Sequence, residues 1–283
     1  MTATMTMDYP DGFKELVNAV KKEPVPVASG REIWEKFCRV VFIGKDRSDA
    51  EISFLMAMLK KYIDYDYVMA TDGEDWESAV RAFLKERLGK IRDDSAEAAV
   101  SGVLRDLFYI TASIKGGARF FRKKGIFENL ATLASGKEKT KELIDEIAED
   151  GDVAGIKYTK AILWLQYCGF AKDFAPPAKH LKTFVNSDVG PYYRYYEDDE
   201  YFMKKAEEMA SDFPDTSLAD VYRAVYLYRT FKSAMPRGSK FTPRKLLEFM
   251  KKKKVSVSKM FSMLSDSEGR EELAKKMAVF MGY

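Results

Sequence analysis

The 283-residue chain is poor in the side chains that many enzymes and metal sites draw on: it has two cysteines, Cys38 and Cys168, and one histidine, His180. A four-ligand zinc site cannot be built from Cys and His at that supply. An iron facial triad, which needs two histidines, is excluded, and a Ser-His-Asp or Cys-His mechanism would have to run through His180 alone. No G-x-G-x-x-G follows a strand and no P-loop occurs, so nucleotide-cofactor chemistry has no motif to stand on. No metal and no cofactor is expected. The longest run without a charge, Ala161–Ala171, falls far short of the roughly 20 apolar residues of a membrane helix. Met1–Asp8 lacks the basic start and apolar core of a secretory signal. Nor does one sign of charge dominate: Lys plus Arg total 47 against 44 for Asp plus Glu, a net of +3. Any affinity for a polyanion must therefore come from where the charges sit. These absences describe a soluble monomer expected inside the cell, in the cytoplasm or nucleoid, with no membrane partner.

What is present is apolar material at helical spacing. Hydrophobic residues make up 46% of the chain and charged residues 32%, enough for a real core under a solvated surface. Ile33, Trp34, Phe37, Val40 and Val41 mark a helix over Glu32–Gly44, and Ile52, Leu55, Met56 and Leu59 mark one over Asp49–Tyr62. Asp75–Leu88 repeats the pattern. Ser95 reads as an N-cap opening a helix to about Ile114. Shorter helices are expected over Ala118–Lys124, Phe127–Leu133 and Lys137–Glu149, then the strongly apolar Ile156–Phe170, stopped by Gly169 and Pro176–Pro177. Asp199–Asp212, Ser217–Ala234, Pro243–Lys252 and Ser267–Met281 complete the set, and Val189–Tyr196 reads as a tyrosine-rich turn. The fold class is all-α. Lys22–Gly30 reads as a linker after a short N-terminal helix, so the expected division is 1–30, a helical region 31–235, and basic C-terminal helices 236–283.

The basic residues are clustered. Lys115–Gly125 carries Lys115, Arg119, Arg122, Lys123 and Lys124 with no acid, and Gly155–Lys182 carries Lys157, Lys160, Lys172, Lys179, Lys182 and His180 against Asp173 alone. Lys232–Lys259 holds ten basic residues against Glu248. Such clusters can neutralise several phosphates and release counterions. Lys251–Lys254 also fits a solvated helix end, where the dipole favours cations.

The most informative segment is Val153–Leu165, V-A-G-I-K-Y-T-K-A-I-L-W-L, which follows the helix expected over Lys137–Glu149. A helix, a turn with glycine, and a second helix starting with lysines present free N–H groups that suit a phosphate. The segment resembles the L-P-G-(I/V)-G-x-K-T-A hairpin of the helix-hairpin-helix DNA glycosylases. Val153-Ala154-Gly155-Ile156 matches its first half and Ala161 its last small residue. The family's second glycine falls on Lys157 and its lysine on Thr159, or on Lys160 if the turn is shifted. Downstream, Pro177-Ala178-Lys179-His180-Leu181 is similar to the segment that holds the family's catalytic aspartate, with Ala178 at the aspartate position. The nearest acid is Asp173, in a K-D-F-A-P-P run similar to one in archaeal 8-oxoguanine glycosylases. The likeness spans Ile33–Met235 and implies a two-subdomain helical fold.

It also implies a function: removal of a damaged, 8-oxoguanine-like base from duplex DNA, with strand cleavage by lyase chemistry. A lysine amine attacks the sugar C1′ and a carboxylate stabilises the developing positive charge, while the target base leaves the stack. The candidates are Lys157, Lys160 and Asp173 for catalysis. For DNA contact they are Gly155, Ile156, Lys157, Lys115, Arg119, Arg122, Lys123, Lys124, Lys179, His180 and Lys182. For base stacking they are Trp164, Tyr167 and Phe174, of which Trp164 and Tyr167 fit a core position better than a stacking one. Two rival readings remain: a non-catalytic DNA-binding protein on the same scaffold, which Ala178 favours, and a helical protein-interaction scaffold.

Overall fold

A computed structural model describes residues 7–44, 47–189, 198–236, 238–264 and 267–283. Among them the structure is all-helical, with no strand. In chain order the helices are α1 (Phe13–Lys21), α2 (Arg31–Phe42), α3 (Asp49–Met58), α4 (Tyr65–Ala70), α5 (Gly73–Leu88), α6 (Asp94–Lys124), α7 (Ile126–Leu133), α8 (Lys137–Glu149) and α9 (Tyr158–Tyr167). There follow α10 (Lys179–Phe184) with a π-helical turn over Val185–Val189, α11 (Asp199–Ser211), α12 (Leu218–Ala234), α13 (Pro243–Lys253), α14 (Val257–Leu264) and α15 (Ser267–Met281). Apart from Val189, the tyrosine-rich turn expected over Val189–Tyr196 lies outside the described residues.

The chain forms two compact units. One is Val25–Ala171 and holds α2 to α9; the other combines the chain up to Pro24 with Lys172–Leu264 and Glu268–Tyr283. The division therefore cuts the expected 31–235 region after Ala171 and joins the N-terminal helix to the C-terminal ones. The Lys22–Gly30 stretch is not a free linker along its length: Ala28 N donates to Cys168 O at 3.0 Å. Beside it Gly169 has φ +82°, and a side chain there would come 2.9 Å from Pro26 O.

In the Val25–Ala171 unit, caps fix where helices begin. Ser48 and Glu51 form a reciprocal capping box at α3, and Asp72 and Asp93 accept from the first turns of α5 and α6. The cap of α6 is thus Asp93 rather than Ser95. Four rings make the centre of the unit: Trp34 and Phe37 from α2, Phe121 from α6 and Trp164 from α9. Phe37 lies 5.1 Å from Phe121 and 5.8 Å from Trp164, centroid to centroid. The buried indoles are satisfied: Trp34 donates to Ile63 O at 2.7 Å and Trp164 to Ile33 O at 3.2 Å.

The largest departure from the expected elements is α6. A break was expected between Ile114 and Ala118, where Gly116 and Gly117 sit, yet one helix runs through them for 31 residues. Glycine costs a helix interior about 1 kcal/mol relative to alanine. Here both glycines are packing residues. A methyl at Gly116 would lie 1.7 Å from Asp152 O, and one at Gly117 would lie 2.2 Å from the Phe37 ring. Their absence of a side chain lets α6 press against the α8–α9 turn on one side and against the aromatic centre on the other.

Candidate nucleic-acid interface and amine site

The hairpin that the sequence singles out does form. Helix α8 runs over Lys137–Glu149, the range expected. After it Asp150 turns the chain, accepting from Asp152 N through its side chain at 2.9 Å and from Val153 N through its carbonyl at 3.1 Å. Gly155 takes φ +71° and is exposed, with the Ser113 hydroxyl, 3.5 Å from the position of a Cβ, as its only near neighbour. Ile156 is fully buried and pins the turn to the core. Lys157 is exposed at the N-cap of α9, and its ammonium points back to Ala148 O at 3.4 Å, near the end of α8. No side chain caps the first turn of α9. On the α6 side, the Ser113 hydroxyl sits between Tyr109 O, 2.9 Å away, and Ala154 O.

Beside this turn the last three turns of α6 carry Arg119, Arg122 and Lys123, all exposed. From Leu107 to Phe127 the chain itself has no acid, although Asp72 acts on Lys115, and Asp66 and Glu128 act with Arg122 on Tyr65. Asp150 and Asp152 lie within the turn itself. Two of the expected DNA contacts serve the fold. Lys115 donates to Val68 O and Thr71 O, the closing carbonyls of α4, and burial, then the charge of Arg119, lower its pKa. Lys124 pairs with Glu146 of α8 at 2.8 Å. A cation held on helix-end carbonyls or on a carboxylate has little left to offer a phosphate.

Lys157 stands outside the helix, at its N-cap. Lys160 turns inward instead. Its ammonium is largely enclosed and donates to Val41 O at 3.1 Å, at the end of α2. Burial, with the positive charge of Arg47 second, pushes its pKa down to about 8, and Asp106 opposes the shift. Arg47 is fixed by Phe42 O at 3.1 Å and by Asp106 at 2.8 Å, and Asp106 also meets Arg105 at 3.2 Å. Gly102 of α6 makes room for the Arg47 guanidinium, which lies 3.2 Å from where a Cβ would be. Sequence reasoning missed Arg47 and Asp106 altogether. They stand far from the hairpin in the chain, and no motif marks either.

The remaining expected site residues are distributed otherwise. Trp164 is enclosed in the aromatic centre and offers no face to a base. Burial, followed by the charge of Asp49, pushes the Tyr167 phenol up to about 12, and Phe174 is also buried. In the other unit, Asp173 and Lys179 are exposed, and His180 stands edge-on to Tyr226 at 4.8 Å. Lys182 is buried against Asp199 at 2.6 Å. Ala178, at the family's aspartate position, is the N-cap of α10 and provides no side-chain cap.

No protein-family model, curated protein or solved structure matches the chain. The function must therefore be read from the site. Among the described residues no group of histidines, cysteines and carboxylates is arranged to hold a metal ion, and no helix is long and apolar enough to cross a membrane. The Val25–Ala171 unit holds an open glycine turn, three exposed cations on α6 and one largely enclosed amine on α9.

Proposed function

We propose that the protein is a helix-hairpin-helix DNA-repair glycosylase with lyase activity, acting on an 8-oxoguanine-like base in duplex DNA, with Lys160 as the amine. The observation that carries this reading is the placement of Lys160: a largely buried lysine, with its charged form disfavoured, five residues after an exposed hairpin glycine. A pKa near 8 leaves about a tenth of the amine neutral at pH 7, which is the form that can attack C1′ once the base departs. The chain's own residues do three things in this scheme. The Gly155 turn binds a phosphate through its backbone N–H groups, and Arg119, Arg122 and Lys123 bind its neighbours. Val41 O orients the amine, and the positive charge of Arg47, fixed by Asp106, disfavours its protonated form. Lys160 then forms the C–N bond to C1′ in place of the glycosidic bond, the base leaving with a proton and the new ammonium giving up one to water.

The resemblance gives the carboxylate role to Asp173, whereas the acid whose field Lys160 feels is Asp106. Replacing each by asparagine and timing base release decides between them: loss of the working carboxylate slows release by roughly 10²-fold. The reading as a whole is tested by incubating the protein with an 8-oxoguanine duplex and borohydride. A covalent protein–DNA adduct and a nicked strand are expected, and their absence at high protein concentration would refute the enzyme. A second reading is favoured by Ala178: a non-catalytic protein that binds duplex DNA through the same hairpin. It predicts salt-dependent binding with no adduct.

A further inference from the structure

Two large aromatic side chains stand in solvent on α6: Phe108 is 69% exposed and Tyr109 66%. Their neighbours Leu107 and Ile110 are buried, so the helix already has its apolar face inward and these rings are surplus to the core. They meet edge to face at 5.6 Å. Residues 105, 109, 112, 116, 119 and 123 follow one another at three and four residues and so share a line along α6, about 27 Å long at 1.5 Å per residue. Along it lie Arg105, the ring of Tyr109 with Phe108 beside it, then the hairpin turn docked on Gly116 and Ser113, then Arg119 and Lys123. The Ser113 hydroxyl reaches both Tyr109 O and Ala154 O, which places the rings about one helical turn from Gly155.

Size and charge select the occupant. Two aromatic side chains present about 150–250 Å² each, and a stable protein interface needs about 800 Å² per partner. The patch is thus too small for a second protein and is the size of one or two bases. Arg119 and Lys123, exposed at one end of it, complement a phosphate chain, whereas Arg105 at the other end is paired with Asp106. The nearby Asp106 carboxylate is already taken by Arg47 and Arg105.

We propose that Phe108 and Tyr109 form a stacking platform for an unpaired base of a DNA strand whose phosphates run over the Gly155 turn toward Arg119 and Lys123. This rests on the DNA-binding reading above and adds to it that the preferred ligand is distorted rather than intact duplex. Stacking on an aromatic side chain stabilises binding by about 1–3 kcal/mol per base, or roughly 5- to 150-fold.

The test is fluorescence anisotropy with two labelled duplexes of equal length, one fully paired and one with a single-nucleotide bulge. Wild-type protein is expected to favour the bulged duplex by about tenfold. The double variant Phe108→Ser, Tyr109→Ser, on exposed positions, should lose that preference while binding paired duplex as before. Arg119→Ala with Lys123→Ala should weaken both duplexes alike. Phe108→Tyr with Tyr109→Phe, which keeps both rings, should retain the preference. Equal binding of both duplexes by wild type, or an undiminished preference in the serine variant, overturns the platform and leaves the phosphate interface standing. Failure of wild type to bind either duplex overturns the platform together with the reading beneath it. A wild-type dimer that the serine variant dissociates, seen by sedimentation equilibrium, also overturns it, because the patch is then a contact between copies.

Discussion

Replacing Lys160 by methionine is expected to stabilise the protein at neutral pH, although it deletes a hydrogen bond. The folded chain lowers this ammonium from its ordinary 10.5 to about 8. Below about pH 8 the lysine is protonated both folded and unfolded, and the folded state carries the full cost of the enclosed charge. Between about 8 and 10.5 the unfolded chain binds the proton and the folded one does not, so stability rises with pH across that window. Above it the cost is gone. At 1.36 kcal/mol for each pKa unit the charge costs about 3 kcal/mol at pH 7. Methionine matches the stem of lysine and removes that cost. It leaves Val41 O without its 3.1 Å donor, a loss of about 1 kcal/mol. The net gain is about 2 kcal/mol near pH 7, turning into a loss of about 1 kcal/mol near pH 10.5. Urea denaturation of both proteins across this range measures the difference directly, and other titrating groups cancel in it. A difference that does not change with pH, or a Lys160→Met variant less stable at pH 7, would refute the argument that this amine is held against its charge.

Other consequences can be checked separately. Gly116→Ala and Gly117→Ala raise helix propensity in α6 but drive a methyl into Asp152 O and the Phe37 ring; each should lower stability by about 1–3 kcal/mol in thermal melts, and a neutral or stabilising result contradicts the packing argument. Affinity for duplex DNA should fall with salt by about 0.9 log units per log unit for each phosphate neutralised. Arg119→Ala with Lys123→Ala should reduce the slope, whereas Lys124→Ala, whose lysine is paired with Glu146, should change it little; equal slopes in all three place the phosphates elsewhere. Lys115→Met should loosen α4 through loss of its carbonyl contacts, read as faster amide exchange over Tyr65–Ala70 with no effect on the salt slope.

The all-helical class was legible because most helices here are long enough to show a 3.6-residue period, and α8 was bounded from the sequence alone at Lys137 and Glu149. The misjudged break in α6 has a plain cause. Gly-Gly is a stop signal in local terms, and only the tertiary neighbours Asp152 and Phe37 explain why a helix passes through it. The six-residue helices α4 and α10 are too short for a period to register. The hairpin was visible because its turn is local, with Gly155 and the following lysines in one stretch. The environment of Lys160 was not, since it is made by Val41 O, Arg47 and Asp106, which come to it from three other parts of the Val25–Ala171 unit. The stacking role expected of Trp164 fails for the same reason: the ring cluster that encloses it is assembled from α2, α6 and α9, while the exposed rings sit at Phe108 and Tyr109.

The central claim is that Lys160 supplies the nucleophilic amine, and one measurement meets it directly. Trap the protein on duplex DNA containing an abasic site with borohydride, digest the adduct, and locate the modified residue by mass spectrometry. The proposed mechanism predicts the sugar on Lys160, with no adduct in Lys160→Gln and an undiminished one in Lys157→Gln. An adduct mapped to Lys157 or to any other lysine, or none at all with tightly bound DNA, contradicts it.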